Sequence, residues 1–492
     1  MILFEKILSF KFLILIVLFA GAFMRLYRLP QTMQFLGDQG RDAIIARRIL
    51  VEHHPALIGP VTSVGNMYLG PFYYYFMVFP LMLTYPSPTG PAFAVAVVGI
   101  ATLYLVYRLG KQFTNAVTAL VAMALYAISP MVITQVRFSW NPNIVPFFSL
   151  FFIWLLYQAK EGKHKYWAFL GLVFAILMQL HYITLALGAI AGVIWLLELK
   201  RQWSAKQIDK KFLFFTGVAA FIFLLSLTPL VIFDIRQPYS NVDAFKGFLF
   251  SDKEKHFSLS SSFSGYFTLL WRTTFGLFVQ RSQVWLQTMG GIGVLGFCLW
   301  SFRNTSNKAW KFILTIYLTS VFILSLYRSQ IFDHYLGFLL PMGILILATI
   351  ISTLWSRARL KLLTVVILVF FAVFAIKDFP GSQNLGLNIF MMQRTADEIY
   401  SHVKGNEKYD ILLLSDTHDF QGMNYRYFLE NKPNKPATEE EVHSFTKLFV
   451  LDEMHQEQPL DTPQYKIAIW PNRTVVEEFT ISRGPSVLML EK

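Results

Sequence analysis

The chain has 492 residues, 55% hydrophobic and 15% charged, with mean hydropathy +0.47 and a formal net charge of +13. Soluble domains carry about a quarter charged residues, so the composition excludes a soluble globular protein and marks an integral membrane protein. The single cysteine, Cys298, excludes an internal disulfide and a cysteine-based metal cluster. The basic residues fall mostly in short loops between apolar runs, the footprint of membrane orientation and not of nucleic-acid binding.

A crossing helix needs about 20 mostly apolar residues. Spans are predicted at 7–24, 89–107, 115–134, 143–158, 166–181, 183–198, 212–233, 285–302, 309–327, 332–352 and 360–376. The first is read as a retained span. Ala20-Gly21-Ala22 has the small residues of a signal cleavage site, but cleavage there would detach the helix that presents the next segment. That segment is Phe35-Leu36-Gly37-Asp38-Gln39-Gly40-Arg41-Asp42-Ala43, with two carboxylates and a guanidinium within five residues. Charges so close to a span are costly unless they face water or a ligand. The segment is therefore expected at the mouth of a cavity, with Asp38 doing chemistry. The plainer reading is a solvated loop in which Asp38 caps a short helix.

The run 68–84 is read as a helix lying in the interface, with Tyr68, Tyr73 and Tyr74 at headgroup level. Counting it as a span would invert every later loop. Without it, Arg108 and Lys111, Lys160 to Lys165, Lys200 to Lys211, Arg303 to Lys311 and Arg357 to Lys361 all lie inside. The N-terminus is then cytoplasmic and the C-terminus outside. Asp38 and Asp42, Arg137 to Asn141, His181-Tyr182, Asp234 to Arg236 and Asp333-His334-Tyr335 fall together at the outer face, and a long outer loop covers 234–284 with an interfacial stretch at Tyr266 to Val279. From 378 onward the composition turns polar. Thr395 to Val403 and Tyr425 to Leu429 read as helices, and 409–414, 447–451 and 465–469 as strands. No internal repeat is visible, which weakens a transporter built from two symmetric halves.

These features resemble the GT-C membrane glycosyltransferases, whose relatives include the protein O-mannosyltransferases, the lipid A aminoarabinose transferases and the RgtA/B/C/D-like group. Many of them open with Asp-Glu-x-Arg-x-Ala-x-x-Ala-Arg. Here Asp38, Arg41, Ala43, Ala46 and Arg47 match, and Gln39 stands where the second carboxylate would be. Gly70-Pro71-Phe72-Tyr73-Tyr74 resembles the family's re-entrant Tyr-rich helix, without the lysine of the aminoarabinose transferases. Arg137 with Asn141 and Asn143 resembles an Arg-to-Asp segment, and Asp333-His334-Tyr335 to Pro341 an Arg-Tyr-x-x-Pro segment with His334 in the arginine position. The resemblance covers roughly 1–352.

It implies a mainly α, polytopic membrane protein of about eleven transmembrane helices with outer interfacial helices. Residues 1–377 would be a GT-C-type catalytic domain, with a first outer loop at 25–88, and 378–492 a small extracytoplasmic α/β domain. The implied activity moves a sugar from a polyprenyl-phosphate donor to an acceptor hydroxyl at the outer face of the plasma membrane. The acceptor is an unknown lipid, glycan or protein. Such a displacement needs a base, for which Asp38 is the candidate, and one displacement inverts the anomeric centre. Donor phosphate or substrate would be held among Arg41, Asp42, Arg137, Asn141, His181, Tyr182, Arg236, Arg328, Asp333, His334 and Tyr335. Plainer readings stand beside several: Asp42 paired with Arg41, His181 as a structural turn residue, and His334 fixed by Asp333. No cofactor is certain from the sequence; a divalent metal is possible but has no support in it. The alternative is a non-enzymatic transporter or lipid flippase, which should place ionisable groups near mid-span. An oligosaccharide ligase or polymerase with a diphosphate-linked donor is a further possibility.

Overall fold

The computed structural model describes residues 2–62, 67–237, 240–250, 259–279, 282–327, 330–383, 386–441, 443–470 and 473–491. The chain opens with α1 (Ile2–Leu26), the single turn α2 (Leu29–Thr32), α3 (Gly37–Val51), α4 (Phe72–Thr84) and α5 (Thr89–Phe113). The predicted span 115–134 is two helices, α6 (Ala116–Ile128) and α7 (Pro130–Gln135). Pro130 has no N–H to continue the ladder, and the Ser129 hydroxyl caps the new helix by accepting from the Val132 amide. Next come α8 (Val145–Lys160), α9 (Tyr166–Leu180), α10 (Leu185–Ser204) and α11 (Lys210–Ser226), which α12 (Thr228–Arg236) extends past a break at Leu227. The bundle is completed by α13 (Ser240–Phe250), α14 (Leu259–Arg272), α15 (Val284–Asn304), α16 (Lys308–Ser325), α17 (Leu340–Ser356) and α18 (Lys361–Lys377). Side-chain caps fix several starts: Asn115 accepts from Thr118 at α6, and Asn307 accepts from Ala309 and Trp310 at α16.

All eleven predicted spans fall on helices. Among the described residues, seven helical segments are long and apolar enough to cross a membrane, and α4, α6, α9 and α17 are shorter apolar helices beside them. Three expectations shift. The segment 332–352 begins with a 3-10 turn, Asp333–Phe338, and becomes α-helical only at Leu340. The stretch from Tyr266 is not one continuous strip: its first part ends α14, which packs on α15 and α16 with Phe267, Leu269 and Leu270 buried, and a 3-10 turn, Phe275–Leu277, follows. The run 68–84 also differs. Tyr68 lies outside α4, bridged to Val61, while Tyr73 and Tyr74 are buried against protein. Their helix packs between α3 and α5, so the hydroxyls need protein partners. Ser139 meets that of Tyr73 at 2.8 Å.

Two buried arginines lock α1 in place. Arg25 donates to the carbonyls of Gly21, Tyr126 and Ala127, joining α1 to the end of α6. Arg137 donates to the carbonyls of Met24 and Arg25 at 2.9 and 3.0 Å, to that of Tyr27, and to the Thr32 hydroxyl. These include carbonyls that the end of α1 leaves without helical partners.

Beyond the bundle lie α19 (Ile389–Ser401), β1 (Tyr409–Leu414), α20 (Met423–Leu429), β2 (Lys447–Asp452), α21 (Tyr465–Ala468), β3 (Thr474–Thr480) and β4 (Ser486–Glu491). The sheet order is β1-β2-β4-β3, parallel between β1 and β2 and antiparallel elsewhere. Alternate residues of β1 serve two cores: Ile411 and Leu413 join the large cluster continuous with the bundle, while Leu412 and Leu414 join Phe445, Val450 and Trp470 on the other face. The strand expected at 465–469 is the helical turn α21. Its apolar run is short, and the turn lets Lys466 reach the Asp410 carboxylate at 2.6 Å and the Ile411 carbonyl at 2.9 Å. Arg426 binds the other Asp410 oxygen, so the buried carboxylate is doubly paired.

Candidate active site

The charged segment after α1 becomes the first turns of α3. Gln39 accepts the Leu36 amide at 2.9 Å, the reciprocal half of a capping box. Gln39 is 2% exposed and turned inward, so its amide caps the helix. Gly37 and Gly40, one turn apart, are pressed against the C-terminal unit. A Cβ on Gly37 would lie 2.6 Å from the Asp419 carboxylate, and one on Gly40 2.4 Å from the Met423 backbone. The neighbouring face carries Asp38 and Arg41. Arg41 donates to Asp38 at 2.9 Å and, through two nitrogens, to Asp42 at 2.8 and 3.0 Å. Asp42 is fully buried, and burial pushes its carboxyl up to about 6 against the pull of Arg41. The Asp38 side chain keeps half its surface exposed. Burial also raises Asp419, with Asp38 contributing in the same direction.

Asp38 and Arg41 line a cavity of about 780 Å³. Its polar end is built from turns, not helices. Trp140 and Asn141 precede α8, with the Asn141 amide donating to the Leu180 carbonyl; His181 and Tyr182 join α9 to α10; and His334 and Tyr335 precede α17. Its other end is apolar, with Leu185 and Ala186 of α10 facing Ile323, Leu324 and Leu326 at the end of α16. One wall is a hairpin-like segment containing Pro60, Val61, Met67 and Leu69, and Phe245 of α13 closes beside it. Hydrogen bonds pin that wall. The Tyr182 hydroxyl donates to the Tyr68 carbonyl at 2.5 Å, the Tyr68 amide to Asn241 at 2.7 Å, and the Asn241 amide to Asp234 at 2.8 Å.

The two histidines meet across the polar end, ring centres 5.8 Å apart, with Tyr335 edge-on to both. His334 also stacks on Phe332 and lies 4.5 Å from Trp140. Burial pushes His334 down to about 4, opposed by Asp333 and Asp38, and pushes His181 lower still, to about 3, with His334 adding to it. Among the described residues, no group of three or more metal-ligating side chains stands close enough to hold an ion.

A family model described as dolichyl-phosphate-mannose-protein mannosyltransferase matches residues 69–232, beginning after α3. A search of curated proteins returns no significant match. The crystal structure of ArnT from Cupriavidus metallidurans bound to undecaprenyl phosphate superposes with a TM-score of 0.58 at 13% identity, over 99% of this chain and 98% of that one. The apo form of the Archaeoglobus fulgidus oligosaccharyltransferase gives 0.54 at 12% identity, over 94% and 71%. This chain has the GT-C fold. At these identities the likeness speaks for architecture alone.

On that GT-C frame the cavity gathers Asp38, Arg41, Asn141, His181, Tyr182, His334 and Tyr335 of the residues expected from sequence. Others stand elsewhere. Asp42 is sealed behind Arg41, and Arg137 is occupied with the end of α1. Arg236 is exposed at the end of α12 and does not line the cavity. Asp333 turns outward to pair with Arg272 at 2.6 Å, so it does not fix His334. Tyr68 belongs to the wall through its backbone, its side chain and those of Tyr73 and Tyr74 do not line the cavity, and Arg328 falls outside the described residues. Sequence reasoning expected an apolar groove between helices but missed the wall of Pro60, Val61, Thr62, Met67 and Leu69, Trp140 as a stacking surface, and Arg272. None carries a local signal, because each depends on which turns meet.

Proposed function

We propose that the protein is a membrane glycosyltransferase that moves a sugar from a polyprenyl-phosphate-linked donor to a hydroxyl of an acceptor. Asp38 acts as base, with inversion at the anomeric carbon. The observation that carries this reading is the make-up of the cavity. One accessible carboxylate, paired among the described residues with the Arg41 it shares with Asp42, stands in one cavity with donors and aromatic rings from the turns and with an apolar lining from α10 and the end of α16. The apolar end between α10 and α16 would take the prenyl chain, and the imidazoles and Asn141 the phosphate. The sugar would then lie toward Trp140 and Asp38, where a stacking face suits a pyranose ring. Asp38 takes the acceptor's proton as its oxygen attacks, and the bond to the lipid phosphate breaks. The ArnT structure holds undecaprenyl phosphate, and another Archaeoglobus structure holds a dolichol-phosphate, which supports a lipid phosphate as ligand class. The active site and the C-terminal unit are placed on the outer face of the plasma membrane, as the basic loops suggest.

The test is release of polyprenyl phosphate from a labelled lipid-linked sugar by purified protein. Asp38→Asn should abolish release while leaving thermal stability and membrane insertion unchanged, since the carboxylate is half exposed. Wild-type turnover in that variant would remove Asp38 from the mechanism.

A further inference from the structure

We propose that the phosphate of the lipid carrier is held by the imidazole pair His181 and His334, so that binding it draws a proton from solvent. This rests on the transferase reading above. Three observations lead to it. First, the cavity's described lining contains one arginine and no lysine, and that arginine, Arg41, is bound by two carboxylates. Among the described lining residues, a bound anion meets no permanent cation outside an ion pair. Second, both imidazoles line the polar end, and among the described residues neither forms an ion pair with a carboxylate. The nearest acid, Asp333, is engaged by Arg272. Third, His181 Nδ1 accepts the Ile183 amide at 3.2 Å, which leaves its proton on Nε2. An N–H donor is therefore fixed in the ring that faces His334.

The remaining titratable and charged groups around the pair are Asp38 and Arg41 on α3, Tyr182, Tyr327 and Tyr335 on the turns, and the Asp333–Arg272 pair. Tyrosines stay neutral near physiological pH, Asp38 and Asp333 have guanidinium partners, and Asp42, pushed up to about 6 behind Arg41, lies outside the cavity lining, so any proton it takes up persists in the histidine variants. His334 is thus the ring left to take a proton, while His181, whose Nδ1 already accepts the Ile183 amide, answers the new negative charge as a neutral Nε2–H donor. A phosphate beside a neutral imidazole favours its protonated form. The proton moves from water to the ring, and a charge-assisted hydrogen bond forms without any covalent change.

The probe is undecaprenyl phosphate titrated into the full-length protein in detergent, by calorimetry in two buffers of different ionisation enthalpy. The expected result is net proton uptake, with affinity falling as pH rises from about 6 to about 8, by up to about tenfold per pH unit for one linked proton. The lipid's own second ionisation, near about 6, pulls affinity the opposite way and acts equally in every variant. His334→Arg should keep binding and lose part of the uptake, because its charge is permanent. His334→Gln should weaken binding most at low pH. Tight binding with no proton uptake by wild type would overturn the proposal and mean that a permanent cation holds the phosphate. If folded wild type bound no lipid phosphate at any pH, the transferase reading beneath it would fall as well.

Discussion

At the residue scale, the charged segment divides its labour between two acids that look alike in sequence. Asp38 is accessible and borders the cavity, whereas Asp42 is buried and clasps Arg41. Their spacing around a helix decides this, since positions 38 and 41 share a face one turn apart. The plainer sequence reading of Asp42, as a partner for Arg41, is the one that holds. Asp42 also has a measurable signature. Its carboxyl titrates near about 6 in the folded protein, above the ordinary carboxylate range. The folded state therefore binds this proton before the unfolded chain does. Its contribution to stability is greatest at low pH and is lost as pH rises from about 4 to about 6. Melting curves of wild type and Asp42→Asn in detergent should differ in slope across that window, by about 1–3 kcal/mol in total, and run parallel above it. Parallel curves throughout would show that Asp42 titrates normally.

At the element scale, α3 is a helix with no face to spare. One side presents Asp38 and Arg41, another packs on α4, and a third lies so close to the C-terminal unit that Gly37 and Gly40 are required. Gly40→Leu should cost roughly 1–3 kcal/mol through overpacking and reduce transfer, because the obstacle is Met423 backbone rather than a movable side chain. Differential scanning fluorimetry beside the release assay checks it, and an unaffected variant would mean that the two parts do not touch there. The sequence marked this helix in part: the acids and arginines are local, and so is the apolar periodicity of the eleven spans, but the cap is not the Asp38 of the plainer reading, since Leu36 is the N-cap, Gln39 takes its amide and Asp38 lies inside the first turn. It hid what the glycines were for, since a close approach between residues 40 and 423 leaves no trace in either stretch. Hidden too was the turn α21, whose buried Lys466 is explained by partners far upstream, the Asp410 carboxylate and the Ile411 carbonyl among them.

For the whole molecule, the cavity is assembled from connections between helices, and the C-terminal unit holds one side of it steady. Arg48 pairs with Glu430 at 2.9 Å, Lys435 with Glu52 at 2.6 Å, and Phe35 packs edge-on against Tyr427 and Phe428. If this unit orients α3, then Arg48→Glu, which sets a like charge against the largely buried Glu430, should cost roughly 1–2 kcal/mol and slow transfer. Adding Glu430→Arg should recover part of both, and a double variant no better than the single one would break the link. Composition alone announced a membrane protein, and the motifs announced a reactive loop. The meeting of His181 with His334 was beyond reach, because it depends on how two turns some 150 residues apart (181 to 334) are brought together by packing. One last consequence follows from the Arg137 fork. It fastens the stem from which α3 hangs with hydrogen bonds to neutral oxygens, so no acid is consumed in the joint. The anchorage of α3 is therefore indifferent to protonation near neutral pH, so a change of pH that acts on the cavity's acid and imidazoles leaves its stem in place.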